Sequence, residues 1–261
     1  MAWLAAYLSL GAVAGFLGGL FGIGGGTVLV PVLLMLFTAQ GFGEQAMHLA
    51  LGTSMATIIF TALASSRRHH LHGAVDWRVV RRLTPGILFG TLLGGVSVSH
   101  APAPLLKLFF GVFVVLVALQ ILLDLKPAAR RSLPGAGGMA AFGTLTGWLS
   151  SLVSIGGGTF VVPFLLWCEV PVRRAIGTSA AVGLPLALGG SLGYWLAGRG
   201  EAGLPAYSLG YLYLPALLGL ASAAVLTAPL GARAVHALPV DLLRKLFAGV
   251  LVLLGGKLLL H

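Results

Sequence analysis

An all-α, polytopic integral membrane protein built from two inverted repeats is predicted by three features of this 261-residue chain. Hydrophobic residues make up 58% of it and charged residues 8%, against roughly 25% charged in an ordinary soluble domain. Apolar stretches of about 20 residues, enough to cross about 30 Å of hydrocarbon, recur along the whole length. One glycine-rich phrase also occurs twice, as Ile23-Gly-Gly-Gly-Thr27-Val-Leu-Val-Pro31-Val-Leu-Leu34 and as Ile155-Gly-Gly-Gly-Thr159-Phe-Val-Val-Pro163-Phe-Leu-Leu166, with nine of twelve positions identical at an offset of 132 residues.

The duplication extends beyond that phrase. The segment Ala50 to Ser54 matches Ala175 to Ser179, and Lys107 to Val112 matches Lys245 to Val250, in the same order and at offsets of 125 and 138 residues. The membrane elements therefore correspond while the loops differ in length. Residues 1–125 are expected to form the first repeat, 126–132 a cytoplasmic linker, and 133–261 the second, inverted repeat.

In chain order, the first half predicts helices at 3–22, 27–39, 46–65, 79–99 and 104–124, joined by loops rich in Gly, Pro and charge. The second half predicts 135–154, 159–168, 174–197, 207–230 and 240–260. Ala12-Val13-Ala14 has the look of a leader cleavage site. No Lys or Arg precedes it, and the stretch corresponds to 135–153 in the second copy, so it is expected to stay as a helix. Gly11, Gly15 and Gly19, four residues apart, suit close helix packing. The second segment of each half is short: thirteen residues cover only about 20 Å at 1.5 Å per residue, which favours half-membrane or re-entrant helices over full spans.

The basic residues set the topology. The formal charge of +10 sits in short loops between apolar spans, which points to membrane orientation rather than to nucleic acid. If the chain reverses at each glycine phrase, thirteen Lys and Arg share one side and three (Lys107, Arg199 and Lys257) the other. If it runs straight through, the split falls to ten against six. The bias of basic residues toward the cytoplasm selects reversal. Each half then makes an odd number of crossings, the second half is inverted relative to the first, and both termini lie outside.

Three consecutive glycines at membrane depth must be enclosed by protein or line a water-filled cavity. The helix that follows each phrase begins near Thr27 or Thr159 and aims free N–H donors and its positive dipole end back at the turn, an arrangement that attracts anions. Pro31 and Pro163 each remove the N–H that would bond the threonine carbonyl four residues earlier. The candidate substrate-binding residues are accordingly Gly24, Gly25, Gly26 and Thr27 with Gly156, Gly157, Gly158 and Thr159. The triplets Gly52-Thr53-Ser54 and Gly177-Thr178-Ser179 supply hydroxyls on the next helix. Thr53, Ser54, Thr178 and Ser179 either complete an oxyanion site or bond between helices.

Elsewhere the chemistry is sparse. All six acids lie in loops or near span ends, so no buried acidic proton relay is visible. His48, near a span start, is read as an interfacial polar residue, with a proton carrier or an entrance residue as the alternative. Lys107 and Lys245 are expected to snorkel toward the headgroups. The run Arg67 to His72 is read as a cytoplasmic loop that anchors anionic lipid. Its histidines lack a nearby acid for metal binding. Cys168, the single cysteine, is a packing residue. No catalytic constellation assembles, so no enzyme, cofactor or metal is expected. A channel with glycine-rich re-entrant loops is the competing class.

Paired hairpins of the form I-G-G-G-T-x-x-V-P, preceded by Gly22 in the first copy and Ser154 in the second and each followed by a Gly-Thr-Ser helix, resemble the sulfite exporter TauE/SafE family of membrane permeases over nearly the whole chain. The resemblance implies secondary transport, usually outward across a bacterial inner membrane, of small sulfur-containing anions such as sulfite or organosulfonates. An anion channel or a uniporter for another small oxyanion stays open. The partners implied are a small anionic substrate and the lipid bilayer, without nucleic acid; a homo-oligomer is left open.

Overall fold

A computed structural model describes residues 2–21, 25–123, 132–234 and 240–260. Within them lie ten α-helices: α1 (Ala2–Phe21), α2 (Gly26–Ala39), α3 (Ala46–Leu71), α4 (Trp77–His100), α5 (Ala103–Leu122), α6 (Ala136–Val153), α7 (Gly158–Trp167), α8 (Val172–Ala197), α9 (Leu214–Ala234) and α10 (Val240–Leu260). A short 3-10 turn at Gly43–Gln45 precedes α3, and a two-stranded hairpin, β1 (Ser208–Leu209) with β2 (Leu212–Tyr213), precedes α9. The protein is an all-α polytopic membrane protein. Four helical stretches, Gly43–Leu71, Ala103–Leu122, Val172–Ala197 and Leu214–Gly231, are long and apolar enough to cross a bilayer, while α2 and α7 are shorter apolar helices.

Helix directions follow from which residues meet. Rings of Tyr7 and Tyr213 lie 6.5 Å apart, and Tyr213 N–H donates to Thr53 Oγ1 at 3.0 Å. Further along, Gly18 and Gly19 of α1, Thr61 to Ser65 of α3 and Ala228 of α9 surround one cavity. Thus α1, α3 and α9 run the same way. Gly90 of α4 lies against Thr144 of α6, and Gly95 of α4 against Gly193 of α8, so α4, α6 and α8 also run together. The two sets oppose each other. Along α3 and α8, Gly52 faces Tyr194, Met55 faces Gly190 and Ala62 faces Gly183, an antiparallel pairing.

Because α1 and α3 are parallel, α2 must bring the chain back between them; α7 does the same between α6 and α8. The reversal that the basic residues predict is therefore present. At 1.5 Å per residue, the 14 residues of α2 span about 21 Å and the 10 of α7 about 15 Å, short of the roughly 30 Å of hydrocarbon. Corresponding pairs also pack alike: α1 with α9 as α6 with α4, α3 with α9 as α8 with α4, and α2 with α3 as α7 with α8.

Small residues make the closest of these contacts. Gly11, Gly15 and Gly19 of α1 meet the backbone of Leu220, Ala224 and Ala228 on α9, and a methyl at any of them would strike that backbone. In the other half, Gly86 and Gly90 of α4 meet Ala140 and Thr144 of α6 in the same way. Without a hydrophobic force between helices in lipid, such close approach is what allows dispersion contacts to hold them together.

Two predicted boundaries need correction. The helix expected at 207–230 begins only at Leu214. Residues 208–213 form the hairpin, with Ser208 opposite Tyr213 and Gly210 at φ 57°. Tyr213 packs there with Phe37 and Phe42 at centroid distances of 5.6 and 5.1 Å, and this aromatic cluster overrides the apolar run. The loop expected after residue 65 is also helix, since α3 continues through Arg67 and Arg68 to Leu71. Charge marks where a helix leaves hydrocarbon, not where its hydrogen bonds end; Gly73, at φ 65°, follows the true terminus.

Candidate functional site

The glycine phrases bring both reversals to mid-depth and against each other. Gly25, the residue before α2, has φ 76° and ψ −10°, a left-handed conformation that disfavours side chains. A Cβ there would lie 2.8 Å from the carbonyl oxygen of Ala14, midway along α1. The next residue, Gly26, meets the carbonyl of Ser154, at the opposite hairpin, so closely that no methyl fits. Neither α2 nor α7 has a side-chain cap on its N-terminus; Gly158 borders a cavity, whereas Gly26 is buried against Ser154. Ile23 and Gly24 lie outside the described residues.

A small cavity opens at the second phrase. It has a volume of about 30 Å³, enough for about two waters. Gly156, Gly157 and Gly158 line it together with Ser179 and Ala180 of α8 and with Thr61 and Ser65 of α3. A Cβ at Gly157 would come within 3.1 Å of the Ser179 carbonyl, so the second phrase and its triplet are neighbours.

The hydroxyls of the candidate residues divide into two groups. Thr53 and Thr178 act as cross-repeat staples: Tyr213 N–H donates to Thr53 Oγ1 at 3.0 Å, and Asp76 N–H donates to Thr178 Oγ1 at 2.9 Å. Each fixes the start of a helix belonging to the other half, which is the interhelical role. Ser54 and Ser179 do the opposite. Their hydroxyls are buried with no partner, as are those of Thr27 and Thr159. Leaving a buried polar group unsatisfied costs roughly 1–3 kcal/mol, so these hydroxyls call for a ligand or water as partner, and Ser179 is the one of the four that lines the cavity.

Other residues fall into packing roles. His48, in the first turn of α3, is buried within the protein, with 7% exposure. Its Nε2 lies 3.2 Å from the Ala101 carbonyl, and its ring stacks on Tyr211 at 4.8 Å. Cys168 is buried, as expected. Trp77 Nε1–H donates to His70 Nδ1 at 3.1 Å, tying the end of α3 to the start of α4. Asp76 caps α4 by accepting from the N–H groups of Arg78 and Val79 at 2.9 and 3.3 Å.

Sequence reasoning missed Gly18, Gly19, Thr61 and Ser65, all of which line the cavity. A signal for three of them existed. At the repeat offsets, Gly18 and Gly19 correspond to Ser150 and Ser151, and Ser65 to Gly190. A position that stays small in both copies, while exchanging glycine for serine, marks a wall that must leave room.

The sequence is similar to those of known membrane transporters. Residues 7–258 match the family described as sulfite exporter TauE/SafE. A probable membrane transporter protein of Haemophilus influenzae is 40% identical over 256 residues, covering 97% of each chain. Another, MJ0441 of Methanocaldococcus jannaschii, is 29% identical and covers 96% of this chain and 93% of its own. The probable membrane transporter YunE of Bacillus subtilis is 28% identical over 219 residues. No solved structure matches. The chain belongs to the sulfite exporter TauE/SafE family of membrane transporters.

Proposed function

We propose that this protein is a secondary transporter that exports a small sulfur-containing anion, sulfite or an organosulfonate, by alternating access around the two glycine phrases. Residues 1–125 and 133–261 are its two inverted repeats, and residues 126–132 link them. The anion is held by backbone N–H groups of Gly24 to Gly26 and Gly156 to Gly158 and by the hydroxyls of Thr27, Ser54, Thr159 and Ser179. No buried Lys or Arg is invoked, and this weak, dipolar grip suits release at the far side.

The observation that carries this reading is the cavity formed by Gly156 to Gly158 and Ser179 beside the uncapped start of α7. Its about 30 Å³ holds about two waters, less than a sulfur oxyanion needs, so binding widens it. The end of the bundle that carries Arg67, Arg68, Arg78, Arg81, Arg82, Arg173 and Arg174 faces the cytoplasm of a bacterial inner membrane, by the basic-residue bias. Both termini then lie outside.

Purified protein tested with a panel of anions should be stabilised against heat by sulfite or a small sulfonate, and the best ligand should cross proteoliposome membranes. Stabilisation by cations or neutral solutes alone overturns the anion reading. Currents that saturate only at channel-like rates replace alternating access with a pore.

A further inference from the structure

The cavity at the second phrase has a counterpart by internal symmetry, and one side chain fills it. At the repeat offsets, Gly157 corresponds to Gly25, Gly158 to Gly26, Ser179 to Ser54, Gly18 to Ser150, Ser65 to Gly190 and Ala180 to Met55. By that correspondence the second-phrase chamber, which Ala180 leaves open, has a first-phrase counterpart across the α3–α8 contact. There Met55 stands where the other half has Ala180: its side chain is fully buried against α8, with Cγ, Cε and Sδ at 2.9–3.0 Å from where a Cβ at Gly190 would stand.

The polar groups that the correspondence assigns to this counterpart have no partners. Ser54 and Ser150 are both 0% exposed, and neither hydroxyl makes a hydrogen bond. Thr27, at the start of α2, is in the same condition. The elements meet here: Ser154, against which Gly26 packs, donates its hydroxyl to the Leu51 carbonyl, one turn before Met55. Packing alone gives no reason to bury three unpaired hydroxyls, because apolar residues would avoid the unsatisfied groups. A chamber that is wet in another conformation supplies one. Methionine suits the task of leaving, since its unbranched side chain has three rotatable bonds and adapts to irregular space.

We propose that Met55 is the movable plug of a second binding chamber, lined by Gly25, Gly26, Ser54 and Ser150, which opens toward the end of the bundle that carries both termini. On the function proposed above it receives the same small oxyanion. The structure has the second-phrase chamber open and the first-phrase chamber shut; the two are the alternate approaches to the one anion site between the phrases, and transport exchanges which of them is open.

The test uses Ser54→Cys or Ser179→Cys as a reporter in a Cys168→Ala background, labelled in sealed proteoliposomes by a membrane-impermeant thiosulfonate. Adding Met55→Ala should raise the labelling rate of Ser54→Cys about tenfold and leave Ser179→Cys unchanged. An unaltered rate at Ser54→Cys, with Ser179→Cys still reactive, overturns the plug. Should Met55→Ala fail to fold, judged by size-exclusion profile, Ala180→Met reads the same correspondence in reverse. It should close the open chamber and cut labelling of Ser179→Cys about tenfold, and no change there overturns the proposal. Protection by ethanesulfonate, which unlike sulfite does not attack the thiosulfonate, is scored separately: labelling that responds to Met55 without protection keeps the plug and removes the sulfonate reading.

Discussion

The two glycine phrases share nine of twelve residues yet fold differently. In the first, Gly25 takes the left-handed conformation at φ 76°; in the second, Gly157 is right-handed at φ −57°, and the positive φ moves to Ser154 at 47°. The helix after the first phrase runs 14 residues and buries nine of them, whereas the second runs 10 and buries three. The second phrase borders a small cavity, whereas Gly25 and Gly26 of the first pack against Ala14 and Ser154. Duplicated sequence thus supplies equal parts, and packing around them sets unequal states, which is the condition an alternating transporter needs at any instant.

Substitutions in the phrases themselves should separate them most sharply. Gly157→Leu, in ordinary helical geometry beside the cavity, should lower anion flux in proteoliposomes by at least about tenfold while the protein still elutes as a single species. Gly26→Val should lose the folded protein instead, because the Ser154 carbonyl leaves no room for a side chain; normal yield and melting of this variant would show that the hairpins do not meet. Gly25→Leu, strained by its positive φ, is the poorer probe of the site.

A smaller effect is expected at the serines. Ser179→Ala removes a buried, unbonded hydroxyl, so thermal stability should hold or rise slightly. If the hydroxyl serves the anion, apparent affinity should fall by roughly tenfold or more, for a hydrogen bond to a charged group is worth roughly 1.5–3 kcal/mol. Lower stability with unchanged affinity would make it a packing residue.

The smallest effects should be equal between the halves. Thr53→Val and Thr178→Val each remove one acceptor for a backbone N–H, and each should cost about 1–2 kcal/mol of stability with little direct effect on affinity. A large difference between them in thermal melting would break the symmetry of the staples. Asp76→Ala should cost about 1 kcal/mol as a lost N-cap.

Much of the architecture was legible before folding. Apolar length, the repeated phrase and the basic residues predict ten segments, their reversals and their inversion, because hydrocarbon thickness and membrane charge bias act on the chain almost residue by residue. The hairpin at 208–213 was not legible, since its aromatic partners Phe37 and Phe42 are far away in sequence. The triplets were legible as a pair but not in their division of labour: nothing local tells that Thr178 meets Asp76 while Ser179 meets nothing.

The sequence by itself determined the membrane class, the family and where the two helix breaks fall, since these depend on composition and short-range pattern. Only the tertiary structure decided that Gly26 touches the Ser154 carbonyl, that Ala180 lines a cavity and that Met55 packs against Gly190. Those facts depend on which side chain from one inverted half enters the space left by the other, and volume of that kind exists only once the two halves have packed.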